Sequence, residues 1–401
     1  MSRDVSRLYE PLELPCGAIL VNRLAKAAMS DSLGDGEGNP SKEQMRLYER
    51  WAEGGIALSI IGEVQGSPDF AEKPGNLVLA DGSDIGAFRS LATRGRGQNT
   101  QLWLQLGHAG AMTFPPIGTP KGPSAIDIPG LKSAALSSSE IAAIPDAFAR
   151  TAQLGRDLGF GGVEVHAAHG FLLSQFLSPL FNTRGDAYGG SIANRMRLLL
   201  EVIEAVRHAV GPNFPVGVKL NATDQLDGGL VPEDALDVVQ ALDDTSVDLI
   251  DISGGTYFPG AASASDAVGK GVYFLEFARA ARHRTRIPLM VTGGFKKREQ
   301  AIDALATGGA DVIGLARSLA LDPNLPRRWD TAAFETLGDI AFPRFDAPPE
   351  GGMTAWYSMR LTDIGEDREA EDIDLAAAIK AYDTRDKMRT DLWNARFGQR
   401  S

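Results

Sequence analysis

The chain has 401 residues, 43% hydrophobic and 23% charged, which supplies a full core and argues against wholesale disorder. A formal net charge of −12, with no basic-aromatic patch to offset it, argues against nucleic acid as a partner. The single cysteine, Cys16, excludes an internal disulfide framework, and neither an apolar leader nor a membrane-length apolar run occurs, so the expectation is a soluble, cytoplasmic protein with no membrane contact.

In chain order, residues 10–21 are expected to form a short hairpin that plugs the bottom of whatever follows. Apolar runs then alternate with amphipathic stretches. The strand candidates LAKAAM, LSIIG, LWLQL, GVEV, VGVKL, DLIDI, LMVTG and DVIGL end near Met29, Gly62, Leu106, Val165, Leu220, Ile252, Thr292 and Leu315. Helical patterns lie between them, among them SKEQMRLYERWAEGG, SSSEIAAIPDAFARTAQLGRDLG and RMRLLLEVIEAVRHAV. The second opens with serines and a glutamate at capping-box spacing and closes at a glycine turn. Apolar strands in strict alternation with helices predict a parallel sheet covered on both faces. Eight such units fit a closed (β/α)8 TIM barrel better than an open doubly wound sheet, which stays the alternative. Past residue 322 the pattern stops: PRFDAPPEGG is a connector and DIDLAAAIKAYDTRDKMRTDLW reads as a terminal helix. The division expected is therefore a barrel over residues 1–330 and a C-terminal helical extension over 331–401. The terminal helix is expected on the barrel flank or at an oligomer contact, with an arm over the active site as the sharper alternative.

In such barrels the chemistry sits at the C-terminal ends of the strands. The seventh end carries Gly293 and Gly294, where backbone amides can approach a ligand closely, and the eighth carries Leu315, Ala316 and Arg317 at the start of a helix. Together they favour a phosphate over a plain turn and a surface arginine. Gln105, on the third strand, suits a heterocycle edge or is a satisfied interior amide. Lys219, inside the apolar fifth strand, needs a counter-charge such as Asp224 or Asp251, or a ligand whose negative charge it stabilises. The first strand end, AAMSDS, is small and polar. It suits backbone contact with a flat ligand or is simply a turn. His166 and His169 close the fourth strand. A zinc site lacks a third ligand at recognisable spacing, so no metal is expected. A pair of hydrogen-bond donors aimed at a carbonyl or oxyanion fits a strand end in a barrel mouth better.

These segments, in this order, resemble the old yellow enzyme family of FMN-dependent ene-reductases. The resemblance runs from residue 10 to about 330 and rests on NRLAKAAMSD, QLGHAG, HAAHGFLLSQFLSPLFNTRGDAYGGSIANRMRLLLEVI, VTGGF and GLARSLALDP. It implies a (β/α)8 barrel binding FMN, with NADH or NADPH as electron donor and an enone or related electrophile as substrate. It implies backbone around Ala27, Ala28 and Met29 lining the flavin, with Ser30 near its N5–C4 carbonyl edge, and Gly62, with Glu63, along the ring. Gln105 would bind the pyrimidine end, and Lys219 would stand for the family's usual arginine near N1 and C2, as a point charge without bidentate geometry. Gly293, Gly294, Leu315, Ala316 and Arg317 would hold the phosphate. His166 and His169 would bind the substrate's carbonyl oxygen. Arg184, Asp186 and Arg195 read as ion pairs tying the fourth loop to the next helix, and Tyr188 as a packing residue.

One position departs from the family. Two residues after the second histidine most members carry a tyrosine that protonates the α-carbon; here Phe171 has no proton to give. The expected activity is reduction of activated alkenes with a non-standard proton source, Tyr257 at the sixth strand end being nearest by topology. Quinone or nitro reduction, NADH oxidation and carbonyl desaturation are the alternatives. A flavin-free isomerase or aldolase using Lys219 is the remote one. A homo-oligomer is open, as is a contribution of Trp356 and Tyr357 to the site.

Overall fold

The computed structural model describes residues 4–261, 271–330, 334, 337–346, 348–349 and 351–398. Eight parallel strands follow one another: β1 Leu24–Met29, β2 Leu58–Gln65, β3 Gln101–Gly107, β4 Gly162–Ala167, β5 Val216–Asn221, β6 Leu249–Ser253, β7 Leu289–Thr292 and β8 Val312–Leu315. Because β1 pairs with both β2 and β8, the sheet closes and the open alternative falls away. Between the strands run α1 Lys42–Glu53, α2 Ile85–Arg96, α3 Ser138–Asp157, α4 Arg197–Val210, α5 Pro232–Asp243, α6 Leu275–Arg282, α7 Arg298–Ala306 and α8 Arg317–Leu321. The fold is a (β/α)8 barrel.

Local signals place these elements. At the start of α3 the Ser137 hydroxyl accepts from the Glu140 N–H while the Glu140 carboxylate accepts from the Ser137 N–H, which satisfies two orphan donors of the first turn. Strand side chains alternate between two destinations. One parity, Val163 and Val165 among others, packs outward against helix residues such as Val202 and Val206. The other points into the barrel. At its lower end the inward set is apolar: Ala25, Leu58, Trp103, Leu249, Met290 and Val312. Leu14 and Leu20 complete this cluster from the antiparallel hairpin Leu12–Glu13/Ile19–Leu20, so the hairpin does seal the bottom. Each large aliphatic buried in this way stabilises the fold by roughly 1.5–3 kcal/mol.

Beyond the barrel come α9 Gly352–Gly365 and α10 Leu375–Phe397. Arg389 of α10 donates to the Ser32 carbonyl, and Trp393 is buried with Ala71 and Val78. The terminal helix therefore rests on the loops that follow β1 and β2, at the C-terminal rim. Among the described residues no helix is long and apolar enough to cross a membrane.

Candidate active site

Above the apolar plug the inward positions turn polar. Strand register sets Gln105 beside Glu164 and Lys219 beside Asp251. Gln105 Nε2 donates to Glu164 Oε1 at 2.7 Å, Lys219 Nζ donates to Asp251 and lies 3.8 Å from Glu164 Oε1, and Thr292 Oγ1 donates to Asp251 Oδ1 at 2.6 Å. A continuous belt thus crosses β3 to β7. Burial works against the Lys219 charge, but Asp251 and Glu164 outweigh it and hold the ammonium above its ordinary range. One ammonium cannot neutralise two buried carboxylates, and burial pushes Glu164 up to about 8 against the pull of Lys219. Of the two partners the sequence offered Lys219, Asp251 is the one used. Asp224 instead accepts from Asn221 Nδ2 and the Leu230 N–H, each at 2.9 Å.

One layer higher, nearer the mouth, stand His166, Asn221 and Ser253. His166 Nε2 and His169 Nδ1 are 3.2 Å apart, and His169 Nε2 is 2.9 Å from Ser253 Oγ. Asn221 Oδ1 accepts from the His169 N–H at 3.0 Å, which fixes the turn after β4 while His169 takes a left-handed φ of 61°. Burial, reinforced by Lys219, holds His166 down to about 3. Burial, then His166 and Lys219, keep His169 well below the ordinary imidazole range. Both rings are thus held toward the neutral form, in which each carries one N–H donor and one acceptor. On the other edge of His166, Glu63 Oε1 is 2.8 Å from Nδ1, out of line for a hydrogen bond. Glu63 is itself a non-glycine residue at φ 61°.

Phe171 is 3% exposed, and its ring lies 4.9 Å from that of His166. Tyr257 follows at 5.7 Å from Phe171, 66% exposed, with its N–H donating to the His169 carbonyl at 3.3 Å. The fourth and sixth strand ends therefore meet as the topology suggested.

The β7 and β8 ends also meet, since Thr292 and Gly314 are in register. Gly293 and Gly294 have φ of 114° and 84°, a conformation that favours glycine, and the Tyr273 N–H donates to the Gly293 carbonyl at 3.4 Å. Arg317, half-buried at the start of α8, has no carboxylate partner among the described residues and lies 5.8 Å from the Tyr357 ring of its own chain. A half-buried, unneutralised guanidinium beside two such glycines suits a phosphate. On β1, which pairs with β8, Ala27 is buried while Ala28, Met29 and Ser30 stay half-buried. A Cβ on Gly62 would come within 2.2 Å of the Met29 carbonyl, so β1 and β2 approach closely at their ends and present backbone there. A flat ring between these ends and Lys219, with its phosphate at Gly293 to Arg317, fits the residues present.

Other assignments resolve differently. Arg184 pairs with Asp186 as expected, but Arg195 pairs with Asp234 of α5, so the fourth loop is tied to the fifth helix too. Tyr188 both packs, 6.3 Å from Phe176, and donates to Glu201 Oε2 at 3.0 Å. Trp356 is buried, with Nε1 donating to the Ile373 carbonyl at 2.9 Å. Glu164, Asn221 and Ser253 were not read as site residues; period-two alternation from Lys219 and His166 is the signal that points to them. An apolar cavity of about 280 Å³ lies between the β2 and β3 ends and α3, lined by Val64, Leu106, Ile144 and Phe148, away from the histidine pair. The site is located by strand ends and polar geometry, not by void size.

A closed barrel with a buried cation, a neutral histidine pair and a phosphate-type cradle at its C-terminal mouth defines a flavin-dependent oxidoreductase class. Comparison with known proteins makes this specific: residues 7–333 match the NADH:flavin oxidoreductase / NADH oxidase family, and the chain belongs to that family. It is 34% identical over 380 residues to the NADH-dependent flavin oxidoreductase iliE of Hypocrea jecorina, covering 84% of this chain and 93% of that one. With the protein of that name from Neonectria sp. it shares 36% identity over 356 residues, 79% of this chain but only 46% of the relative's length. Among solved structures, morphinone reductase superposes with a TM-score of 0.71 at 26% identity, covering 86% of this chain and 93% of that one. The old yellow enzyme homologue of Zymomonas mobilis, at 23% identity and TM-score 0.72 over 86% of this chain and 98% of that one, shares the fold. The protein is an FMN-dependent oxidoreductase of the old yellow enzyme type, with a nicotinamide as electron donor.

Proposed function

We propose that the protein reduces the carbon–carbon double bond of α,β-unsaturated carbonyl compounds with electrons from NADH or NADPH. The observation that carries this reading is the neutral His166–His169 pair, 3.2 Å apart at the end of β4. Ala27, Ala28, Met29, Ser30 and Gly62 would line the flavin ring, Gln105 and Lys219 its pyrimidine end, and Gly293, Gly294, Leu315, Ala316 and Arg317 its phosphate. Bound FMN supplies the hydride. The histidines donate N–H groups to the substrate's carbonyl oxygen, stabilising the charge that appears there as hydride reaches the β-carbon. Phe171 and Tyr257 wall the mouth against the substrate, and Tyr257 carries the hydroxyl nearest the family's usual acid. Residues 1–330 act as the flavin-binding barrel, and 331–401 form an extension that braces the rim. The partner is a small molecule, not nucleic acid or membrane, and the unit is a homo-oligomer or monomer acting in the cytoplasm.

Phe171 favours a second reading, in which quinones, nitro compounds or oxygen take the electrons because none needs a positioned carbon acid. Desaturation of a carbonyl is the reverse case. Lys219 is charged and paired with Asp251, the wrong state for a Schiff-base nucleophile, which speaks against aldolase chemistry. Anaerobic stopped-flow decides: NADH or NADPH should bleach the flavin, and an enone should restore its colour. Reoxidation by quinones but by no enone across a broad panel overturns the first reading for the second.

A further inference from the structure

A proton has to reach the reduced substrate, and Phe171 cannot give it. Tyr257 packs on Phe171, with ring centroids 5.7 Å apart, and is 66% exposed. On the inner side the histidine pair continues into a different acid. Glu63 is 2% exposed, its Oε1 is 2.8 Å from His166 Nδ1, and its Oε2 accepts from Gln65 Nε2 at 3.3 Å. His166 Nδ1 is buried with no hydrogen-bond partner among the described residues, Glu63 being near it but out of line. Left-handed backbone at a residue with a side chain is strained, and such strain collects at functional sites. Two of the non-glycine residues held this way are Glu63 and His169, the flanks of His166.

We propose that Glu63 is the proton source of this enzyme, acting through His166, and that the proton goes to the substrate's oxygen, so that the product leaves the site as an enol. The inference rests on the enone-reductase reading above. With Glu63 as the carboxylic acid, His166 Nε2–H runs toward His169 Nδ1 and His169 Nε2–H toward Ser253 Oγ, while the Glu63 carboxyl, 2.8 Å from His166 Nδ1, has to turn into line with the ring to pass its proton. An arriving carbonyl oxygen takes over the His166 Nε2–H. As hydride from the reduced flavin joins the β-carbon, the alkene π pair becomes the enolate. The His166 Nε2–H bond then breaks and an O–H bond forms, while Nδ1 takes the Glu63 proton and leaves a carboxylate. After the enol departs, a proton from water enters at Nε2, and Nδ1 returns its own to Glu63. The enol becomes the ketone in water, where nothing selects a face of the α-carbon. Phe171 is then no defect, since no carbon acid is needed.

The charges around the pair agree. Burial pushes Glu63 up to about 8, with Gln65 and Lys219 pulling the other way, while His166 is held down to about 3. At neutral pH the proton sits on Glu63 and not on the ring. The groups facing Glu63 are Gln65 of β2, Glu72 in the loop after it, His166 of β4, Lys219 of β5 and Tyr257 after β6. Lys219 is the one fixed cation among them.

Two measurements test this. First, a 2-methyl-substituted cyclic enone is reduced by the wild-type holoenzyme in ²H₂O. Hydride on one face of the β-carbon with deuterium on both faces of the α-carbon is expected; a single α-epimer, formed faster than the ketone exchanges alone, overturns the proposal. Second, side-chain ¹⁵N NMR follows His166 without substrate. Its Nδ1 signal should move with a transition near pH 8 that Glu63→Gln abolishes. No transition, or one that survives in Glu63→Gln, overturns the proposal whether or not enones are turned over. In turnover, Glu63→Gln should slow flavin reoxidation by the enone about 10²-fold, as for loss of a general acid. If neither NADH nor any enone acts on the flavin while the NMR transition is present, the enone reading fails and the Glu63–His166 link stands.

Discussion

Phe171 packs against both His166 and Tyr257, with ring centroids 4.9 Å and 5.7 Å away and its plane 59° from that of Tyr257. The Tyr257 side chain is 66% exposed, so its hydroxyl is not held in place as a positioned acid. Tyr257→Phe should therefore change enone turnover by no more than a few-fold, measured as steady-state rate at saturating nicotinamide. Phe171→Tyr places a phenol 4.9 Å from His166, ring to ring, and should convert the α-carbon outcome to a single epimer. A loss on the order of 10²-fold in Tyr257→Phe would make Tyr257 the acid.

Lys219 is the cation of the inner belt. In Lys219→Met, Asp251 and Glu164 lose their counter-charge at 1% exposure each. Removing one member of a buried pair costs roughly 3–5 kcal/mol, because the remaining charge is stranded. Urea unfolding should show this loss, and the double variant Lys219→Met, Asp251→Asn should recover part of it. Flavin bound to the single variant should also be harder to reduce, read as a more negative midpoint potential, since the nearby positive charge is gone.

Arg317 separates phosphate binding from ring binding. Its guanidinium is unneutralised among the described residues, and charge-assisted hydrogen bonds contribute about 1.5–3 kcal/mol. Arg317→Ala should weaken FMN by about tenfold to a hundredfold in a flavin-fluorescence titration. Riboflavin, which has no phosphate, should bind the variant and the parent alike.

Glu63 also sets a pH dependence of stability. Its folded value, about 8, lies above the ordinary 4.5, so the folded state holds its proton more tightly than the unfolded chain. The stability it contributes is complete below about pH 4.5 and is lost as pH rises through about 8. Urea midpoints of the flavin-free protein should fall between pH 5 and pH 8.5, and Glu63→Gln should flatten that fall. An unchanged slope in the variant would assign the effect to another buried group, Glu164 being the next to examine.

Arg389 ties α10 to the rim through the Ser32 carbonyl, two residues past Ser30. Arg389→Ala removes a buried charged donor and leaves that carbonyl unpaired, at a cost of about 1–3 kcal/mol. Faster hydrogen exchange over residues 30–40 than over β5 is the expected signature.

Much of this protein was legible from residue order. Short continuous apolar runs between capped amphipathic stretches specify eight βα units, because a strand buried on both faces and a helix buried on one carry different patterns. Gly293-Gly294, Arg317 and the His166–His169 spacing mark the mouth, since strand ends in a barrel converge. What the sequence left open depended on distances between strands far apart in the chain. Whether Lys219 met Asp224 or Asp251 was decided by the β5–β6 register. The link from Glu63 to His166 spans two strands separated by β3, and the inward curvature of those neighbouring strands brings that carboxyl to that imidazole. The resting place of α10 was likewise set by packing of Trp393 and Arg389, not by a local signal. Sequence by itself determined the elements and the kinds of chemistry present. The tertiary structure decided which charges share one low-dielectric interior, and therefore which group holds the proton.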